Sequence, residues 1–446
     1  MRYNGSMPSR DYFKGKRIAV IGLGPHGEMV EDAAFLIKAG ALVAIYDLKS
    51  EARLKSDLVF LRSVGLAAYV CGSVPAEDLL DMDLIILSHE YPRDSSFLKA
   101  AQNNKIPVEY PETLFFRLSP PLTVVGVMGS CGKSTVVSML APMLEAACKR
   151  NKEQGFFTID PESPDGILAR LKKAKSGDIV LMRVAEGMMG ELHRLRISPH
   201  VAIFTTVPSK GSYAKSPFEI LEYQTYNNFI VASDEVVDAT HAMHIQPKAK
   251  MLRTKPTIIP ADWEFKGRGE HDRDNAALAL QAARLFKVND DEARRSLEEW
   301  KSLKGRIEPV KKVKSVEFYN DSASVSPAST IAALTALASE TRNIILIFGG
   351  ANAGADYRQF YAVVPRYVHT LIVIPGSGTI RERQAISQLD QVSVFSASSV
   401  EEAVRLSLEH SHKGDRVLFS PGFEAGGLDG SRKERGERFV KAVRGL

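Results

Sequence analysis

The chain has 446 residues, 44% of them apolar and 25% charged, with a formal net charge of +5. Such a length predicts roughly two to four globular domains, and dispersed basic residues give nucleic-acid binding no support. Three widely spaced cysteines, Cys71, Cys131 and Cys148, argue against a disulfide framework or a zinc site and suit a reducing cytoplasm.

No apolar run reaches membrane-spanning length, and the polar stretch Met1 to Lys16 lacks the apolar core of a signal peptide. The first predicted strand is Arg17–Ile21. It runs into Gly22-Leu-Gly24-Pro-His-Gly27, a helical stretch to Lys38, and a second strand, Ala41–Tyr46, ending in Asp47. Leu84–Leu87 and Pro107–Tyr110 read as further strands, and alternation with helices implies a doubly wound parallel sheet. Gly22, Gly24 and Gly27 permit a tight turn and close approach to a diphosphate, and Asp47 can accept hydrogen bonds from ribose hydroxyls. NAD, a UDP-sugar, or a purely structural glycine turn all fit that pattern.

Leu118-Ser-Pro-Pro121 reads as a linker, because consecutive prolines stiffen the chain and end helices. The apolar run Leu122–Val125 then enters Gly126-Val-Met-Gly129-Ser130-Cys131-Gly132-Lys133-Ser134-Thr135, with a helical pattern over Val136–Ala147. A strand that turns through glycines into a helix leaves several backbone N–H groups aimed at one spot. The helix dipole and Lys133 add positive charge there, and the Ser134 or Thr135 hydroxyl can ligate Mg²⁺. A nucleoside triphosphate suits that spot. Pro142 is expected to kink the following helix or stop it early.

Ile179–Val184, His200–Thr206 and Asn228–Val231 are the next strand candidates, followed by helical runs Asp274–Phe286 and Asp290–Trp300. From Lys304-Gly-Arg306 onward, Val316–Tyr319, Asn343–Phe348, His369–Ile374, Val392–Phe395 and Arg416–Phe419 alternate with helices such as Ser326–Ala338 and Val400–Glu409, a second doubly wound unit. Arg306 precedes Asp321, which lies in Tyr319-Asn-Asp-Ser322 at a strand end, where ligands bind in such sheets. Gly349-Gly350 and Ser420-Pro421-Gly422 repeat small residues at strand ends and outline one edge of a cleft.

Taken together and in order, these motifs resemble those of the Mur ligases, ATP-dependent amide ligases of peptidoglycan precursor synthesis. Gly129 to Thr135 resembles the family phosphate loop Gly-Thr-Asn-Gly-Lys-Ser-Thr. Gly269-Glu-His271-Asp-Arg-Asp-Asn275 resembles Gly-x-His-Asn-x-x-Asn, and Gly305-Arg306-Ile-Glu308 resembles His-Arg-Phe-Glu. Asn320-Asp321-Ser322 resembles Asn-Asp-Ser-Lys, and Ser420-Pro421 through Glu434-Arg435-Gly436 resembles the closing Ser-Pro…Glu-Gln-Arg-Gly segment. The glycine-rich N-terminal turn looks most like that of the D-glutamate-adding branch.

The resemblance implies three α/β domains: a Rossmann-like UDP-substrate-binding domain over 1–117, a central P-loop ATP-binding domain over 118–303, and a Rossmann-like C-terminal domain over 304–446. It implies a cytoplasmic monomer that uses ATP and Mg²⁺, a UDP-linked muramoyl substrate and an amino acid. The substrate carboxylate would take the γ-phosphoryl group of ATP, and the amine would attack the resulting acyl phosphate. Gly129, Ser130, Cys131, Gly132, Lys133, Ser134 and Thr135 would hold the phosphates. Asn275 would contact adenine, Arg306 and Asp321 would be brought to the nucleotide as the third domain closes, and Gly22, Gly24, Gly27, Asp47 and Ser322 would hold the substrate.

The departures are equally specific. The family's magnesium-binding glutamate falls around Arg183-Val-Ala-Glu186, so Glu186 is its candidate replacement as catalytic and metal residue. The carbamylated lysine has no placed counterpart, with Glu219 and Glu222 nearby, and the Asp-His motif is missing where Pro208-Ser-Lys-Gly-Ser stands. The family lysine of Asn-Asp-Ser-Lys is Ala323. The amino-acid contacts fall on Ala353, Ala425 and Arg432, of which Arg432 can hold an incoming carboxylate. Three readings stay open: a remodelled ligase, a diverged nucleotide-binding relative that does not ligate, and a nicotinamide oxidoreductase.

Overall fold

A computed structural model of the chain describes residues 9–24, 27–91, 93–151, 153–161, 163, 165–207, 218–267, 269–352, 354–426 and 431–446. Short runs of Val, Ile and Leu with no polar alternation form the central strands, as expected for sheets covered by helices on both faces. The first sheet contains β1 (Arg17–Ile21), β2 (Leu42–Asp47), β3 (Ala68–Cys71), β4 (Leu84–Leu87) and β5 (Val108–Glu109), all parallel in the order β3-β2-β1-β4-β5. The second contains β6 (Thr123–Met128), β7 (Phe156–Ile159), β8 (Ile179–Arg183), β9 (Val201–Phe204), β10 (Phe229–Ala232) and β11 (Lys250–Arg253), also parallel, in the order β11-β10-β9-β6-β8-β7.

The third sheet adds an antiparallel edge strand to the doubly wound expectation. Its order is β12-β13-β17-β14-β15-β16, built from β12 (Glu308–Val313), β13 (Val316–Asn320), β14 (Ile344–Phe348), β15 (Val368–Val373), β16 (Ser393–Ser396) and β17 (Arg416–Phe419). β12 runs antiparallel to β13 with an irregularity between Pro309 and Lys311, so the sheet is mixed. β12 escapes sequence reading because Glu308-Pro-Val-Lys-Lys-Val mixes a proline with charges. A proline is tolerated there because β12 is an edge strand.

Two local expectations meet different outcomes. Pro142 does not stop its helix, which runs over Lys133–Arg150; Met139, Leu140, Met143 and Leu144 on either side are buried, and that packing outweighs the lost hydrogen bond. At Ser119 the proline rule holds: helix Pro111–Leu118 ends there with ψ of 152°, the extended conformation that a following proline favours.

Contacts divide the chain into two compact units, Met1–Ile258 with Leu278–Ala293, and Ile259–Ala277 with Arg294–Leu446. The first unit carries the first two sheets and the second unit the third sheet.

Within the first unit, the two sheets are joined by polar contacts. Arg93 donates to Glu191 through Nε and Nη2, both at 2.8 Å, in a bidentate pair. Asp32, on helix Val30–Lys38, accepts a 2.6 Å bond from the Leu168 N–H. Burial pushes its carboxyl from 3.8 up to about 7, against the pull of that bond. The folded state therefore holds this proton more tightly than the unfolded chain does. Its contribution is full below the ordinary carboxylate range and is lost as pH rises through about 7. The melting temperature of the first unit is expected to fall between about pH 4 and pH 7, and calorimetry of Asp32→Asn is expected to show a shallower fall.

Candidate nucleotide and substrate sites

β6 ends at Met128, and the chain must then reverse tightly enough to present its amides. Gly129 has φ of +126°, and a side chain there would collide with the Thr205 hydroxyl and the Thr206 backbone. Gly132, at +82°, caps helix Lys133–Arg150. Both positions require glycine. The N–H groups of Ser130 and Cys131 donate to one atom, Thr206 Oγ1, at 2.9 and 3.3 Å. Lys133 Nζ folds back onto the carbonyls of Gly129 and Ser130. The Thr205 hydroxyl bonds the carbonyls of Met128 and Cys131, bracing the turn.

This geometry tests whether the loop suits a phosphate. Two adjacent backbone donors already converge on a single oxygen acceptor at a helix N-terminus, and the Thr206 hydroxyl stands where an anionic oxygen would be received. The donor set fits. Ser134 is half-buried and Thr135 buried in the first turn of the same helix. Thr206 was not singled out from sequence, although a hydroxyl just past the end of a strand beside β6 is a readable signal.

The neighbouring strand carries a cation. β8 pairs with β6 so that Arg183 lies opposite Val127, and Arg183 Nε donates to Asp160 Oδ1 at 2.6 Å. The strand position around which a magnesium-binding carboxylate was sought therefore holds a buried guanidinium. Glu186 begins helix Glu186–Arg194, and its side chain lies outside the described residues. The segment Pro208-Ser-Lys-Gly-Ser lies outside them as well.

The N-terminal fingerprint folds as a glycine turn, with Gly22, Gly24 and Gly27 at φ of +80°, +84° and +77°. Asp47 anchors the turn's own backbone. It is fully buried, with Oδ2 accepting from Leu23 N at 2.9 Å and Oδ1 from Lys49 N at 2.8 Å. The carboxylate holds the turn's own backbone, which satisfies it more fully than a solvent-exposed ribose would. The Tyr91 ring closes against Gly22, the Glu28 carboxylate against Gly24, and Lys49 Nζ donates to the Gly24 carbonyl at 2.9 Å. An internal anion thus stands at the turn where a diphosphate was expected; Pro25 and His26 lie outside the described residues. Replacing Glu28 by Gln removes that charge, and UDP affinity measured by calorimetry is expected to rise about tenfold, roughly 1.4 kcal/mol.

In the second unit, Arg306 is half-buried between Gly305 and Ile307, whose φ is +44°. A β-branched residue in that region costs about 1–2 kcal/mol, offset here by what its N–H does. It donates to Asp321 Oδ1 at 3.1 Å, while Ser420 Oγ donates to Oδ2 at 2.7 Å. Burial raises the Asp321 carboxyl to about 6, opposed by the Ser324, Ser420 and Ile307 bonds. Asp321 thus begins as an organiser of its own loop rather than an open ribose acceptor. Glu308 Oε2 takes bonds from Gly305 N at 2.9 Å and Asn320 Nδ2 at 3.1 Å, so the Gly-Arg-Ile-Glu and Asn-Asp-Ser segments form one network. Ser322 is buried against Gly305 and Gly436.

Asn275 is buried on helix Glu270–Leu285, in the part up to Ala277 that belongs to that unit. The Arg432 guanidinium forks onto Glu424 at 3.0 and 2.7 Å, so the cation expected to meet an incoming carboxylate already has one beside it. Ala353 lies outside the described residues. Arg435 is fully buried and donates to the Phe423 and Glu424 carbonyls at 3.0 and 3.2 Å.

Residues 305–423 match the family model described as Mur ligase, glutamate ligase domain. A UDP-N-acetylmuramoylalanine–D-glutamate ligase from Caldanaerobacter subterraneus is 27% identical over 97% of this chain and 99% of its own length. One of that name from Borreliella afzelii is 27% identical over 97% and 98%. Among solved structures, UDP-N-acetylmuramate–alanine ligase from Thermotoga maritima superposes with a TM-score of 0.59 at 16% identity, covering 96% of this chain and 99% of its own. A MurF ligase from Thermotoga maritima in complex with ADP gives 0.56 at 17%, covering 98% and 97%. The shared architecture is the three-domain α/β fold of these ligases. On these matches residues 305–423 carry a Mur ligase domain, and the chain as a whole is similar to the Mur ligases at a distance. The relatives that run its whole length at 26–28% identity carry the name of the D-glutamate-adding ligase.

Proposed function

We propose that this chain is an ATP-dependent acid–amino-acid ligase of peptidoglycan precursor synthesis, with UDP-N-acetylmuramoyl-L-alanine and D-glutamate as its first candidate substrates. The observation that carries the reading is the loop at the end of β6, where two backbone donors meet one oxygen acceptor beside Lys133. On this reading the γ-phosphate displaces the Thr206 hydroxyl, and Lys133 leaves its two loop carbonyls to neutralise the phosphoryl group in transfer. Ser134 and Glu186 would hold Mg²⁺, which supplies charge neutralisation; Arg183 offers no lone pair for it. The substrate carboxylate gains the phosphoryl group, the amino-acid amine attacks the acyl phosphate, and inorganic phosphate leaves. Asn275 would take adenine, and Arg306 the ribose or a phosphate. The domain divisions at 117/118 and 303/304, a monomeric state and a cytoplasmic location belong to the same reading.

A second reading, nucleotide binding without ligation, is favoured by two charges. Arg183 stands at the end of β8, and Arg432 is already engaged by Glu424. Phosphate release from ATP, measured with the muramoyl substrate and a panel of amino acids, separates the two. Turnover that needs all three substrates is the expected result, and Lys133→Ala is expected to lower it about 10²–10³-fold. Saturable ATP binding with no phosphate release on any amino acid would leave the second reading standing.

A further inference from the structure

In the third sheet, His369 lies in β15, Asp415 immediately precedes β17, and His412 sits in the turn between helix Val400–Glu409 and β17. Their ligand atoms lie within 4.8 Å of one another, the one such group of three found among the described residues. The cysteine count argued against a zinc site, yet imidazole and carboxylate are equally good zinc donors.

We propose that His369, His412 and Asp415 form a binding site for a divalent transition-metal ion of the zinc class. Donors about 2.0–2.1 Å from a tetrahedral ion stand roughly 3.4 Å from each other. Asp415 Oδ2 is 3.1 Å from His369 Nε2 and 3.6 Å from His412 Nδ1, so the spacing needs little adjustment. The exposed His412 ring supplies that adjustment, while His369 and Asp415 are held in place.

The surroundings match what a metal-bound imidazole needs. Thr370 Oγ1 lies 2.8 Å from His369 Nδ1 and can accept its proton-bearing bond, which leaves the Nε2 lone pair for the ion. Without an ion, the other tautomer can donate its Nε2–H to Asp415 instead, so loading selects the tautomer with its proton on Nδ1. The His412 N–H donates to Asp415 Oδ2 at 2.7 Å, and the Asp415 N–H returns a 3.1 Å bond to the His412 carbonyl, which fixes the turn that carries both ligands. Three protein donors and one exposed side leave a position for water.

The site lies at the N-terminal ends of β15 and β17. The loops with Gly349 and Ser420 leave the opposite ends of the strands, so the ion would not touch the Asp321 network. Its effect would be to tie the turn before β17 to β15.

Calorimetric titration of Zn²⁺ into chelator-stripped full-length protein is expected to show one site with micromolar affinity. His412→Ala, a change at an exposed position, is expected to weaken it at least tenfold, and His369→Gln to do the same. Co²⁺ should give the visible absorption of a tetrahedral site in the parent and lose it in His412→Ala. Lys133→Ala should leave Zn²⁺ binding unchanged, which separates this site from the nucleotide loop. Absence of binding at 100 µM Zn²⁺, or equal affinity in the parent and His412→Ala proteins, would overturn the proposal.

Discussion

Two neighbouring backbone amides pointing at one oxygen are the constraint on which the proposed nucleotide site depends. Peptide N–H groups in this arrangement carry fixed partial charge and cannot rotate away, so a strand and a helix must hold them there. β6 lies between β8 and β9 in the sheet interior, and the helix that follows is anchored by buried methionines and leucines. Gly129 and Gly132 then make the turn that aims the donors. In the free protein, Thr206 keeps both amides bonded, so the loop stays formed without a ligand at the cost of a competitor for every nucleotide that arrives.

The same device recurs at the other glycine turns. Asp47 holds the turn after β1, and Asp321 joins Ile307 to Ser420. In each case a buried carboxylate or hydroxyl binds backbone N–H groups that would otherwise be orphaned at a strand end. Residue types chosen to grip ligands are thus first used to build the loops themselves. Three charges stand at the turns and strand ends where ligand contacts were expected: Glu28 beside Gly24, Arg183 at the end of β8, and Glu424 paired with Arg432.

The central strands were legible because buried parallel strands are unbroken apolar runs, and the phosphate loop because glycine spacing carries geometry. Of the edge strands, β5 and β16 were legible and the others were not. β3, β7, β11 and β12 are short, half-exposed and compositionally mixed, so neither apolar runs nor alternation marks them. Motif logic placed the glycines, Lys133 and Asp321 correctly in their turns but said nothing of who their partners are. Asp47, Asp321 and Arg432 are all charged residues whose local partner could not be read from spacing, because each partner is brought in by the fold. Glu424 is only eight residues from Arg432, yet no regular spacing marks the pair, because Arg432 begins a helix and Glu424 lies outside it. Pro142 shows the converse: a strong local signal yields when buried side chains on both sides keep the helix whole.

Arg435 has a consequence for how the molecule tolerates trimming. Its guanidinium is wholly enclosed and grips the carbonyls of Phe423 and Glu424 from inside the last helix, Arg432–Arg444. The C-terminus is therefore a wedge rather than a tail. A protein clipped ahead of Ser431 would leave the buried Phe423 carbonyl without its donor, the Glu424 carbonyl with only the Ala351 N–H, and an empty slot behind the segment that follows β17, so proteolysis there would reach that edge of the sheet without touching any residue on it.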